Sequence, residues 1–276
     1  MQSVKVATIE FAGVKFKCKV PRGQRVLIFL KKLKKPTLGM LLRLKRLVVC
    51  EEKYSYTPDD LKAATREQRQ KSRNSSIAHL KLSTEMINEH KFQKEAITST
   101  LEGKIQISTY LVKHADQLKL NNNITLDFDS EYILQGCQCE DGNESCQCKR
   151  YAVPLRCKYS EENGFESSEI STSIHQTKGE AEMAQVDWIF EIEPELASGE
   201  AVISIVTSGD CIDAVVIHLF ALSRLWPRKD DSTFKIPVYV FLQKPGKIFD
   251  LYCITRMLEV LEKQLQDKHS TVLRRQ

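Results

Sequence analysis

Alternation of apolar with polar positions dominates the first twenty residues. Val4-Lys5-Val6-Ala7-Thr8-Ile9-Glu10-Phe11 predicts a strand, and Val14-Lys15-Phe16-Lys17-Cys18-Lys19-Val20 alternates apolar with basic residues in the same period. Pro21-Arg22-Gly23 marks a turn. From Leu30 to Leu47 leucines and lysines recur at roughly helical spacing, which suits an amphipathic basic helix broken at Pro36 and Gly39. Leu47-Val48-Val49-Cys50 reads as a short buried strand closing on Glu51-Glu52. Thr57 as cap, Pro58 in the first turn and Asp60 as an early acid start a helix that runs to about Ser75. A second helical region covers 85–120, with an interruption near Gly103.

Residues 121–178 change character, being rich in Asn, Asp, Ser and Glu around a cysteine cluster. They read as an irregular, cysteine-containing insertion with room for one hairpin, long enough to imply function or motion. Regular patterning then returns. Residues 179–192 predict a helix, Val202 to Thr207 a buried β-branched strand, Asp213 to Leu225 a helix, and Pro237 to Leu242 a strand. Ile248 to Gln266 predicts a final helix, with Leu251, Ile254, Met257, Leu258 and Leu261 on one stripe. Strands alternating with helices imply an α/β fold, with a parallel central sheet flanked by helices.

Composition and charge refine this picture. The 276 residues are 42% hydrophobic and 28% charged, the balance of a globular chain with enough core to do without disulfides. The net charge of +5 is unevenly spread: residues 1–50 hold 13 Lys/Arg against Glu10 alone, a local +12 that leaves −7 for the other 226. Two readings stand for that basic stretch: attraction to a polyanion, or a solvated basic face. No stretch approaches the ~20 apolar residues of a spanning helix, and Val26-Leu27-Ile28-Phe29-Leu30 is too short for a secretory core. The expectation is an intracellular protein, nuclear or cytoplasmic, with no membrane partner and nine reduced cysteines.

Ligand sites in open parallel sheets form where strands end, so the residues following the strands carry the chemistry. Glu51 and Glu52 follow one strand. Ser208-Gly209-Asp210-Cys211-Ile212-Asp213 follow another, and Gly179-Glu180-Ala181-Glu182-Met183 open the preceding helix. Each acid alone reads as a helix-dipole partner. Gathered at one sheet edge they would repel one another unless cations neutralised them, and hard oxygen donors select Mg²⁺ or Mn²⁺.

These segments resemble the flap-endonuclease/XPG nucleases, a branch of the PIN-like fold, in the divergent form found in mobile-element-related proteins. Gly179 to Met183 is similar to the family's Glu-Ala-Glu/Asp motif, and Thr207 to Asp213 to its Ser-x-Asp-x-Asp segment. Leu47 to Glu52 with Thr57-Pro58-Asp59-Asp60-Leu61-Lys62 is similar to its strand, Phe-Asp-Gly and basic helix. The resemblance covers about residues 46–245. It implies a PIN-like domain over 46–276 with the insertion at 121–178, preceded by a basic segment at 1–45. It also implies a divalent-metal-dependent endonuclease acting on DNA or RNA.

Glu180, Glu182, Asp210 and Asp213 would then be catalytic and hold Mg²⁺ or Mn²⁺ together with Glu51 or Glu52. Lys62, Arg66, Arg69 and Arg73 would contact phosphates. The chain departs from the family pattern in three places. Asp210 and Asp213 stand one residue further apart, a Glu replaces the Asp of Phe-Asp-Gly, and the Asp that ends the family's first strand is missing. Glu10 is the only acid among residues 1–50 that can take its place. The resemblance therefore leaves open a catalytically degenerate PIN-like module that binds nucleic acid or protein.

Separately, Cys137-x-Cys139 and Cys146-x-Cys148 flank an Asp141-Gly142 turn signal. Two readings remain: a structural Zn²⁺ site with Cys157 as a spare ligand, or a hairpin with free thiols.

Overall fold

The computed structural model describes residues 3–10, 44–51, 101–113, 115–118, 124–132, 153–171, 180–207, 212–244 and 249–273. These form an α/β unit built on one eight-stranded mixed sheet. The strands are β1 (Ser3–Glu10), β2 (Arg46–Cys50), β3 (Thr125–Asp129), β4 (Leu155–Ser160), β5 (Gly164–Glu169), β6 (Glu200–Val206), β7 (Val238–Gln243) and β8 (Phe249–Cys253). Four helices accompany them: α1 (Leu101–Lys113), α2 (Ala181–Ile192), α3 (Asp213–Leu225) and α4 (Ile254–Leu273).

The spatial order is β5-β4-β3-β2-β1-β6-β7-β8. The four pairings from β3 to β7 are parallel, and the three involving β4, β5 and β8 are antiparallel. Residues 3–10, which fall in the segment set apart as 1–45, are thus a central strand flanked by β2 and β6. Val6, Ala7 and Ile9 are buried, as expected of a strand covered on both faces.

Strand alternation sorts the core into two layers. Ala7, Ile9, Val49, Leu126, Phe128, Ile203 and Ile205 pack with Ile107 and Leu111 of α1 on one face. Val6, Val48, Cys50, Val202, Val206, Val238 and Val240 pack on the other, against Trp188 and Ile189 of α2, Leu222 of α3 and Leu258 of α4. Local chemistry ends these elements. Pro194, which has no N–H to donate, sits in the 3-10 turn Glu193–Glu195 that closes α2, and Pro227 follows the last residues of α3. Gly199, at φ +87°, turns the chain into β6, and Gly164, at φ +71°, closes the β4–β5 hairpin.

Three expectations change. The sequence pattern predicts an irregular insertion over 121–178, yet β3, β4 and β5 all come from it. Leu126-Asp127-Phe128-Asp129 alternates strictly, but its polar residues face inward, which conceals the strand in a hydropathy pattern. The final helix starts at Ile254 rather than 248. Phe249-Asp250-Leu251-Tyr252-Cys253 instead pairs with β7, and Phe249 stacks on Phe241 with ring centroids 5.0 Å apart. Leu251 therefore belongs to the strand and not to the helical stripe. Finally, α1 runs from Leu101 through Gly103 without a break.

Candidate site at the carboxyl edge of the sheet

The parallel strands β1, β2, β3 and β6 finish at one edge, where Glu10 and Asp129 stand. Glu10 ends β1 and Asp129 ends β3, and both align with Cys50 of β2 between them. The three residues share a register row, so their side chains leave the sheet on one face, the side covered by α2. Neighbouring strands lie about 4.8 Å apart, which puts the Glu10 and Asp129 backbones roughly 10 Å from each other.

Both carboxylates are buried and held. Glu10 Oε2 accepts from the Thr207 N–H at 3.0 Å and from the Thr207 hydroxyl at 3.1 Å, while that hydroxyl also approaches the Glu10 carbonyl at 2.8 Å. Thr207 immediately follows β6, so the end of β1 is tied to the end of β6. Asp129 Oδ2 accepts the indole N–H of Trp188 at 2.8 Å, which ties the end of β3 to α2.

The residues expected from the sequence are distributed unequally. Glu180 is the N-cap of α2, with extended backbone at φ −94°, ψ 133°, and Glu182 lies in its first turn. Both therefore stand at the helix end nearest the acid row. Glu51 follows β2 but belongs to the other face. Its carboxylate accepts a 2.5 Å hydrogen bond from Ser108 of α1, and its N–H bonds to the Asp129 carbonyl at 3.0 Å. Asp213 opens α3 and is exposed, in the position where an acid complements the helix dipole. Glu52, Asp210, Lys62, Arg66, Arg69, Arg73 and the cysteines Cys137, Cys139, Cys146 and Cys148 lie outside the described residues. Cys157, the spare zinc ligand, is a core residue of β4; burial, reinforced by Asp127, pushes its thiol up to about 12.

Among the described residues no three His, Cys, Asp or Glu side chains group closely enough to hold a metal by themselves. The donor chemistry nevertheless suits a hard cation. Every acidic donor at this edge is a carboxylate oxygen, and two buried oxygens, Gln185 Oε1 on α2 and Ser130 Oγ just after β3, have no hydrogen-bond partner among the described residues. A buried acceptor lacking a donor costs about 1–3 kcal/mol, so such atoms mark places where a water or cation belongs.

Sequence reading missed Asp129. The signal was there in Leu-Asp-Phe-Asp, a strand pattern whose acids fall on alternate positions, but an acid-rich stretch reads first as loop. His218 is the core residue its position on an apolar helix suggests. Its Nε2 meets the Ser204 hydroxyl at 2.8 Å, its Nδ1 meets the Ala214 carbonyl at 2.7 Å, and the ring is fully buried.

Comparison with protein-family models, curated proteins and solved structures finds no match to this chain.

Proposed function

We propose that this chain is a nuclease-like protein that hydrolyses phosphodiester bonds of DNA or RNA with a hard divalent cation, Mg²⁺ or Mn²⁺, at the carboxyl edge of its sheet. The observation that carries the reading is Glu10. The resemblance to flap-endonuclease/XPG proteins lacks the Asp that ends the family's first strand, with Glu10 the acid that can take its place. Glu10 ends a central strand, buried, with its carboxylate bonded to Thr207. Thr207 also opens the segment that contains Asp210 and Asp213. An acid from the N-terminal fifty residues is thus bonded to the residue that follows β6. The run of neighbouring parallel strands β3-β2-β1-β6-β7 supports reading the fold as PIN-like.

In this scheme the cation would be held by Asp210, outside the described residues, together with at most two of Glu10, Asp129, Glu180 and Glu182, since no three of these group by themselves, and Asp213 stands at the exposed rim. When bound, the cation supplies an activated water and stabilises the leaving oxygen. Thr207 and Trp188 keep the Glu10 and Asp129 carboxylates in position, and the early N–H groups of α2 favour a phosphate near Glu180. Lys62, Arg66, Arg69 and Arg73 bind flanking phosphates.

The test is Mn²⁺-dependent cleavage of single-stranded and branched DNA and RNA by the full chain. Glu182→Ala and Glu10→Gln are each expected to reduce cleavage by a factor on the order of 100 or more, the scale of losing a transition-state electrostatic contact. Full activity in Glu182→Ala would overturn the assignment. A second reading rests on the lack of a closed three-residue group among the described acids: a degenerate module that binds nucleic acid or protein without cleaving. Tight, salt-sensitive binding of nucleic acid with no cleavage in Mn²⁺ or Mg²⁺ would select it.

A further inference from the structure

We propose that the β8 edge of the sheet is the docking surface for a second copy of this chain, joined about a two-fold axis perpendicular to the sheet. The inference is independent of the cation reading. It starts from the contrast between the two outer strands, β5 and β8, each of which has one neighbour. β5 exposes Glu166, Ser167, Ser168 and Glu169, the polar dressing that keeps an edge from pairing. β8 runs Phe-Asp-Leu-Tyr-Cys, with neither lysine nor proline. Alternate residues of β8 turn N–H and C=O outward, and no strand among the described residues meets them.

Apolar side chains stand exposed on both faces at this edge. Leu251 pairs with Phe241 and Phe249 with Gln243, so both sit on the Phe241 face, at 43% and 47% exposure. α4 follows β8 directly and lies against β7 on the opposite face, where Leu258 enters the core. Arg228 and the Phe234 N–H engage Glu262 and Glu259 on one side of this helix. Val260 stands about 200° round from Glu262 and is exposed, turned away from that contact. Leu261 and Leu265, also exposed, continue the stripe that Ile254 and Leu258 begin in the core.

An added peptide strand alone would leave the α4 face bare. A second copy covers both faces, because a two-fold axis normal to the sheet sets β8 against β8 and α4 beside α4. Strands lie about 4.8 Å apart, and a helix over the β7–β8 pair stands half that distance inside the edge, so the two α4 helices come about 10 Å apart, the range at which helices pack. The strand is also self-complementary. Antiparallel pairing centred on Leu251 sets Leu251 against the partner's Leu251, Phe249 against the partner's Cys253 and Asp250 against the partner's Tyr252. No carboxylate meets another. The Tyr252 hydroxyl, which donates to Asp250 of its own strand at 3.3 Å, gains an acceptor across the axis. The carboxyl edges of the two sheets then face opposite ways, so neither covers the other.

The experiment is sedimentation equilibrium of the full chain and three variants, with thermal unfolding to show that each variant is folded. Native protein should have twice the chain mass at about 10 μM. Leu251→Lys puts two cations on the axis and should raise the dissociation constant on the order of 100-fold, with a Tm near that of a native chain diluted to monomer. Val260→Glu should raise it at least about tenfold. Glu166→Lys, on the other edge, should leave it unchanged. A native chain still monomeric at about 100 μM would overturn the proposal. So would a native dimer that Leu251→Lys leaves intact, or one that Glu166→Lys dissociates. If Leu251→Lys does not fold, Val260→Glu decides: an undiminished dimer in that variant overturns the proposal as well.

Discussion

The middle of the sheet carries a buried relay of three side chains. The Thr8 hydroxyl donates to Ser204 Oγ at 3.0 Å, Ser204 meets His218 Nε2 at 2.8 Å, and His218 Nδ1 meets the Ala214 carbonyl one helical turn earlier. This pattern is satisfied when the ring is neutral and protonated on Nδ1, with Ser204 donating to Nε2. Burial drives the His218 pKa down to about 4, only partly opposed by the Ala214 carbonyl. The unfolded chain, near 6.5, therefore binds the proton more readily than the fold does. His218 adds nothing to the pH dependence above about 6.5, and stability falls as pH drops from there towards 4. Between pH 7 and pH 5 the loss should be about 2 kcal/mol. Urea unfolding at both pH values, for native protein and for His218→Gln, measures it: the native chain should lose about that much more than the variant. Equal losses would assign the pH dependence elsewhere.

At the scale of elements, one buried carboxylate joins two strand pairs. Asp127 of β3 accepts from Arg46 Nε of β2 at 2.6 Å and from Arg156 Nε of β4 at 2.9 Å. Arg46 extends the link to Glu195 after α2 with two 2.9 Å contacts, and its guanidinium lies 5.5 Å from the Trp188 ring centroid. The antiparallel β4–β5 hairpin is thus fastened to the parallel strands by charge as well as by the ladder. Asp127 is wholly buried and Arg46 nearly so, so removing the acid leaves the buried Arg46 Nε unpaired and its charge balanced by the largely exposed Glu195. Asp127→Ala should cost about 3–5 kcal/mol in chemical unfolding. A cost below about 1 kcal/mol would show that water reaches Arg46 and replaces the pair. Glu195 is largely exposed, and Glu195→Ala should change stability little by comparison.

At the scale of the whole molecule, charge is segregated: the first fifty residues carry +12 and the remainder −7. Much of the negative side lies on the described α/β unit, with Glu10 and Asp129 at strand ends and Glu180 and Glu182 at the start of α2. On the proposed reading a polyanion would be attracted by one part of the chain and repelled by the other until cations occupied the edge. Two outcomes are expected in equilibrium binding of a fluorescent single strand. Affinity should fall linearly in log–log form with monovalent salt, and millimolar Mg²⁺ should weaken native binding less than it weakens binding to a chain lacking residues 180–182 acids (Glu180→Gln with Glu182→Gln). Salt-independent binding would remove the polyanion reading of the basic stretch. Among the described residues no helix is long and apolar enough to cross a membrane.

Much of the architecture could be read from local pattern. Strand alternation over 4–11, the uncharged β-branched run at 202–206, and the helices beginning near 181 and 213 are properties of nearby residues, because burial on a two-faced sheet or against one helix face leaves a short-range period. The acids at 180, 182 and 213 were legible for the same reason, since helix starts are local signals. What local pattern does not contain is the partner across the sheet. Asp127 and Asp129 look like loop residues until Arg46, Arg156 and Trp188 arrive from elsewhere in the chain to offset their burial. Residues 249–253 look helical until β7 supplies a ladder and Phe241 a stacking face. Glu10 is one acid in a basic stretch until β1 is inserted between β2 and β6 and brings it to Thr207, 197 residues away. The sequence by itself therefore determined the α/β class, several element types and the acids at helix starts, all set by periodicity and capping. Only the tertiary structure decided which acids share a face, because side-chain direction at a strand end depends on register between strands far apart in sequence.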